Sequence, residues 1–394
     1  MKTITTADLL ADEHLLRAAE RLRPDVDPVE VAARAAWSVL TEPGDGVAGA
    51  LVTMFGAQGA LDQALSDATL RAPVEALGAR AMSEAASRWS PRADPRAVAG
   101  ALRDAEAVGA RMLLPEDPDW PAGLDDLGPH APLMLWVRGA TEALVAEEAV
   151  SIVGARASTA YGENIAAELA GDLAATGVSV VSGGAYGIDG TAHRAALGVG
   201  GTTVAFLAGG VDRSYPAGHH QLFERIRTGG AVVSEVPCGS APTKWRFLQR
   251  NRLISATGLA TVVIEAGRRS GTLNTAGHAA ALGRPLGAVP GPVTSAASAG
   301  CHRLLREFDA ICVTSAAEVR ELWADAAPSH GATPAPDPDR IRLMDALSAR
   351  APRDVPDLAK RSGLSMERVR SVLGTLDLEG GVVRRATGWL RAGE

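Results

Sequence analysis

Between residues 118 and 323, short β-branched runs alternate with helical stretches, and this alternation is the strongest constraint on the fold. The runs are 150–153 (VSIV), 178–181 (VSVV), 202–207 (TTVAFL), 231–234 (AVVS), 261–264 (TVVI), 286–289 and 311–313. Each is mainly apolar, with serine or threonine the only polar residues, as expected for strands buried on both faces. The stretches between them carry helical spacing, for example Ile165, Leu169 and Leu173 on one face of 163–175. Strands separated by helices require crossover connections, so the sheet is expected to be parallel and covered on both sides. The expected fold is α/β, a doubly wound Rossmann-like parallel sheet.

The flanks read differently. Residues 1–115 show helical periodicity (Leu9, Leu10, Leu15, Leu16, Ala19, then Val31, Ala35, Val39) and are expected to form a small helical domain of the SAM or helix-hairpin kind. The core domain is placed at 116–325. Residues 326–338 (AAPSHGATPAPDP) are rich in proline and read as a linker with extended preference. Residues 339–394 have the cadence of a winged helix. Ser365 is placed as N-cap of a helix carrying Val369, Val372, Leu373 and Leu376, Gly380–Gly381 ends that helix, and VVRRATGWLR forms a two-strand wing.

Composition matters chiefly through charge. The net charge of −7 by itself argues against a nucleic-acid partner. However, residues 1–149 hold 13 basic and 24 acidic residues, so the acidity belongs to the first third. Three cysteines, Cys238, Cys301 and Cys312, give neither a disulfide framework nor zinc spacing, and neither a metal nor a cofactor is expected. No apolar run reaches the ~18 residues of a membrane span, and no signal-like segment opens the chain, so a cytoplasmic location is expected.

Several chemistries lack their signatures. There is no G-x-x-x-x-G-K-[ST], no G-x-G-x-x-G after the first strand and no G-x-S-x-G. Instead, small-residue turns follow the strands: Gly154–Thr159 with Arg156, Ser182–Asp189 with Gly184 and Tyr186, and Glu265–Thr272 with Ser270, Gly271 and Thr272. In doubly wound sheets the carboxyl ends of the strands form the ligand edge. Glycine-rich turns opening helices there suit anions, although such turns also occur simply to make tight connections. The segment Lys244-Trp245-Arg246-Phe247-Leu248-Gln249-Arg250-Asn251-Arg252 is more informative. It lies in a stretch from Val236 to Ile264 with four cations and no acidic residue. Cations follow a phosphate backbone and aromatic faces stack on unpaired bases, a combination that favours single strands. The alternative is a helix with Trp245 and Phe247 in the core and its arginines snorkelling or paired to carboxylates. Tyr186 suits stacking or packing. Asp189 and Glu265 suit capping or arginine pairing better than acid–base chemistry, for which no partner is evident.

Six blocks in order, SIVGARASTAYG, VVSGGAYGIDGTAHRAAL, GGVDRSYP, SEVPCGSAPTKWRFLQRNRLIS, VVIEAGRRSGTLNTAGHAAALGRPLGAVPGP and GCHRLLRE, closely resemble the DNA-processing protein A family (DprA, also called Smf). The resemblance implies a non-catalytic, Rossmann-like core that binds single-stranded DNA cooperatively and without sequence specificity. It further implies self-association into a homodimer and delivery of the RecA recombinase onto incoming strands during natural transformation. Arg156 matches the family's first glycine-x-arginine turn. Lys244 and Phe247 match its DNA-contacting segment, Arg250, Asn251 and Arg252 its Arg-Asn-Arg block, and Ser270, Gly271 and Thr272 its Ser-Gly-Thr turn. Ala155, Tyr186 and Leu248 stand where the family usually has Ser, Arg and Pro.

Two other functions compete. Nucleotide-processing phosphoribohydrolases share this superfold, but their P-G-G-x-G-T-x-x-E signature has no counterpart at Arg269–Asn274. A duplex-DNA regulator acting through Arg368, Arg370, Arg384 and Arg385 of the winged helix is the second.

Overall fold

All seven β-branched runs form strands, with limits within one residue of those expected. In the computed structural model, which describes residues 4–66, 77–324 and 337–392, they belong to one nine-stranded sheet. Its strands are β1 (Arg111–Leu113), β2 (Leu135–Gly139), β3 (Ala149–Val153), β4 (Ser179–Ser182), β5 (Thr203–Leu207), β6 (Gly230–Ser234), β7 (Ala260–Val263), β8 (Leu286–Ala288) and β9 (Ile311–Cys312). The order is β1-β2-β6-β5-β4-β3-β7-β8-β9. From β6 to β9 every neighbouring pair is parallel, which confirms the doubly wound expectation. β1 and β2 add an antiparallel edge that the periodicity did not reveal. β1 has only three residues, and β2 ends in Arg138 and Gly139, so neither offers a long β-branched run. The sheet therefore begins at Arg111, inside the stretch read as helical.

The N-terminal region is helical as expected: Thr6–Leu10, Glu13–Leu22, Pro28–Leu40, Gly46–Leu65, Ala79–Trp89 and Pro95–Ala107. Part of its acidity is structural. Asp12, Asp27, Asp45 and Asp94 each accept a backbone N–H at a helix start, satisfying donors the helix itself leaves open. Its apolar cluster, with Trp37, Leu51, Trp89 and Leu102, runs on into Trp136 and Leu207 of the sheet and Phe223 of the helix before β6. The helical module thus packs on the core instead of closing a core of its own.

The linker read at 326–338 lies outside the described residues except for Asp337 and Pro338. These begin the first helix of the C-terminal unit: Asp337 caps it, accepting from Asp339 N at 3.0 Å. Helices Pro338–Ala346, Val355–Ser362 and Met366–Leu378 precede β10 (Val382–Arg385) and β11 (Gly388–Arg391). An isolated Arg353–Trp389 bridge pairs β11 with the segment before the second helix, completing a winged helix around Leu343, Leu358, Val369, Leu373 and Leu376. Ser365 caps the third helix as its sequence predicted. No helix among the described residues is long and apolar enough to cross a membrane.

Candidate nucleic-acid interface

Sheet topology selects the ligand edge. β3 lies between β4 and β7, where the winding direction reverses, and ligands of such sheets bind outside the strand ends at that switch. The turns after β3 and β7 are tied together there. Thr272 Oγ1 donates to Gly154 O at 2.9 Å, and Ser270 Oγ donates to Thr272 Oγ1 at 3.0 Å while accepting from Thr272 N. Glu265, buried at the end of β7, accepts from Thr159 N at 2.9 Å and from Thr159 Oγ1 at 2.6 Å. Thr159 in turn caps the Ala160–Ala175 helix. Glu265 thus fixes the start of that helix, the structural role expected for it.

On this edge the side chains form a stack. The Arg156 guanidinium lies over the Phe247 ring, 4.5 Å from its centroid, and Tyr215 packs on Phe247 at a centroid distance of 5.4 Å. Arg156 and Tyr215 are both exposed. Phe247 sits in the first turn of the Lys244–Thr257 helix, one turn from the exposed Lys244. That first turn carries no acidic residue, so the cations add to the positive end of the helix macrodipole instead of cancelling it. The result is a positive, aromatic surface suited to a strand with phosphates and free base faces. Tyr215 was missed by the sequence reading. It is one of only three tyrosines, but nothing local marks it as a neighbour of a helix 29 residues on.

The other expected residues divide. Tyr186 is 50% exposed, its ring set edge-on against His219 at 4.7 Å. Gly271 is exposed beside Ser270. Gly184 is buried, with no room for a side chain against Phe223. Trp245 packs on the apolar cluster of the winged helix. Asn251 Nδ2 donates to Asn274 Oδ1 at 3.0 Å, and Asn274 donates to Asp345 of the winged helix at 2.5 Å. Arg250 is buried, donating to Phe206 O; burial pushes its pKa down to about 10, while Asp189 favours the charged form. Arg252, 1% exposed, pairs with Glu235 at 2.7 Å. Arg246 pairs with Glu42 of the N-terminal helices at 2.9 Å. Of the four cations in the acid-free stretch, only Lys244 points into solvent, because Glu42 and Glu235 meet Arg246 and Arg252 and Arg250 is buried on Phe206 O.

The turn after β4 is held by two features with measurable consequences. Gly187 has φ of 75°, and a β-carbon there would lie 2.7 Å from Arg156 O and closer still to Ala155 O. Gly187→Ala is therefore expected to destabilise the fold by about 1–3 kcal/mol and to displace Arg156, read as a lower melting midpoint together with weaker oligonucleotide binding. His193 is buried, with Nε2 2.7 Å from Gly183 O and Nδ1 2.7 Å from Thr203 Oγ1. Burial, aided by His219, Arg194 and Arg250, pushes its pKa down to about 4. The unfolded chain takes up that proton from near pH 6.5 downward and the folded chain does not, so this share of stability is present above pH 6.5 and lost as pH falls towards 4. Between pH 6.5 and 5 the wild type should lose about 1.6 kcal/mol more than His193→Gln, measured by denaturant titration at each pH.

The fold and its edge define a Rossmann-like α/β protein with a winged helix attached. Residues 111–324 match the family model for DNA recombination-mediator protein A, and residues 327–388 match the DprA winged helix domain. The chain is 46% identical over 306 residues to a Mycobacterium tuberculosis protein described as a DNA processing protein DprA, spanning 72% of this chain and 78% of that one. It is 35% identical over 271 residues to protein Smf of Escherichia coli, spanning 66% and 72%. The X-ray structure of DNA processing protein A from Streptococcus pneumoniae superposes with a TM-score of 0.57 at 27% identity, covering 74% of this chain and 96% of that one. The chain belongs to the DprA family.

Proposed function

We propose that this chain binds single-stranded DNA along the switch-point edge, without sequence preference and without catalysis, and that as a homodimer it protects incoming strands and loads the RecA recombinase onto them in natural transformation. The binding half of the reading is carried by one observation: Arg156, Phe247 and Tyr215 stack together on the ligand edge beside exposed Lys244. A base that stacks on Phe247 takes the face now held by Arg156 and frees that guanidinium for a phosphate. Lys244 neutralises a neighbouring phosphate. With most other cations of the segment ion-paired, affinity is modest and salt-sensitive. The RecA and homodimer parts rest on the family resemblance, as does a cytoplasmic location. We further divide the chain into a helical domain (1–115), a DNA-binding core (116–325), a linker (326–338) and a winged helix (339–394).

The test is a competition between single- and double-stranded oligonucleotides for the full chain, followed by a RecA strand-loading assay. Single strands should win at every salt concentration, and loading should be faster with the protein present. Equal competition by duplex would sink the binding assignment, and unchanged loading would sink the recombinase role.

A further inference from the structure

The N-terminal helices and the winged helix meet through polar contacts. The Glu84 carboxylate, on the Ala79–Trp89 helix, accepts from Met366 N at 2.6 Å, the first residue of the Met366–Leu378 helix. The next cation of that helix, Arg368, is held by Asp337 and by Asp339 at 2.5 Å. The other oxygen of Asp339 meets His130 Nε2 at 3.0 Å. Deeper in the junction, Arg342 donates to Pro43 O at 3.3 Å and to Ser362 O at 2.8 Å. Arg342 is 2% exposed, and its Nη1 has no hydrogen-bond partner. The Arg342 and Arg252 guanidiniums both crowd the turn at Gly44.

In helix-turn-helix proteins the second helix of the motif enters the major groove and its N-terminal residues contact the DNA. Here the equivalent helix is Met366–Leu378. A helix N-terminus is where a phosphate binds well, and Glu84 places an anion there. The rest of the face is open: Arg370 is exposed on the helix, with Glu367 exposed in its first turn, and Arg384 and Arg385 are exposed on the wing. The contact that closes the face is poorly suited to be permanent. A buried guanidinium with an unpaired N–H, next to a second guanidinium, costs energy that opening returns through hydration. The net charges also fit, −11 for residues 1–149 against +2 for residues 337–394.

We propose that the winged helix carries a duplex-DNA backbone site, and that the acidic N-terminal helices keep it closed, with Glu84 occupying the position of a phosphate. The site is separate from the single-strand edge and stands or falls independently of it. Opening exposes the first turn of Met366–Leu378 beside the already exposed Arg370, Arg384 and Arg385, and a duplex phosphate backbone then displaces the carboxylate.

The test uses the full chain and a labelled duplex, read by fluorescence anisotropy. E84Q should bind duplex at least tenfold more tightly than wild type with single-strand affinity unchanged, and the gain should vanish when R370A, R384A and R385A are added. A second variant, E84C/M366C with C312S, isolates closure from folding. Joined by a short bismaleimide it should bind duplex at least tenfold more weakly than the same protein unjoined. Equal affinity of joined and unjoined protein overturns the proposal. So does an E84Q chain no tighter on duplex than wild type, or a gain that survives loss of the three arginines.

Discussion

Replacing Arg156 and Lys244 together by alanine should weaken single-strand binding about 100-fold near 50 mM salt while leaving the fold intact. Both side chains are exposed, and neither has an ion-pair partner among the described residues that its loss would leave stranded. Each phosphate contact releases condensed counterions, so the slope of log affinity against log salt should fall by about 1.4 in the double variant. Tenfold per contact corresponds to about 1.4 kcal/mol each, within the range for a charge-assisted hydrogen bond. Phe247→Ala acts differently. It removes a stacking face, so affinity should fall by about 1–3 kcal/mol with little change in salt slope. The measurement is anisotropy of a labelled oligonucleotide across a salt series, with circular dichroism as control. An unchanged slope in the double variant would show that the strand runs elsewhere on the molecule.

The sheet was legible because its strands are apolar on both faces, a pattern that survives without knowledge of neighbours. β1 and β2 lacked that pattern and were invisible. Lys244 and Phe247 were legible because a lysine is rare in this chain and the two are one helical turn apart. What could not be read was depth. The Lys244–Thr257 helix leaves the ligand edge and runs beneath the surface, so Lys244 is exposed and the rest of the first turn half-buried, while Gln249, Arg250 and every residue from Arg252 to Ala256 are buried. The Arg-Asn-Arg block therefore faces inward although it reads as one more basic run. Charge counting failed for the same reason. The stretch free of acidic residues in sequence is met in space by Glu42 and Glu235, and only folding brings those carboxylates to Arg246 and Arg252. Tyr215 was hidden by the reverse effect, since its neighbour Phe247 comes from another crossover.

That inward-facing arginine carries the largest expected effect on stability. The Arg252 guanidinium donates to both Glu235 oxygens, at 2.7 and 2.8 Å, and to His130 O at 3.0 Å and Gln249 O at 3.2 Å. Glu235 also accepts from Gly44 N at 3.0 Å, so one ion pair joins the sheet, the segment before β2 and the N-terminal helices. Arg252→Ala leaves a largely buried carboxylate without its counter-charge, a carbonyl without its donor and a cavity where the guanidinium lay. Breaking a buried pair in this way costs about 3–5 kcal/mol. Arg252→Lys keeps the charge but cannot span both oxygens and the carbonyl at once, so it should lose a smaller part of that sum. Removing both charges with Arg252→Met and Glu235→Gln should cost less than Arg252→Ala alone, because the dominant penalty is the stranded carboxylate and not the lost attraction. Denaturant midpoints of the four proteins test this ordering. If Arg252→Ala fell within about 1 kcal/mol of wild type, the pair would be a solvated contact and not a buried tie. At concentrations where each variant is folded, single-strand affinity should stay within about twofold of wild type, because Arg252 lies below the edge and touches no part of the Arg156–Phe247–Tyr215 stack. The Arg-Asn-Arg block would then act through the fold, holding in place the helix whose first turn meets the strand.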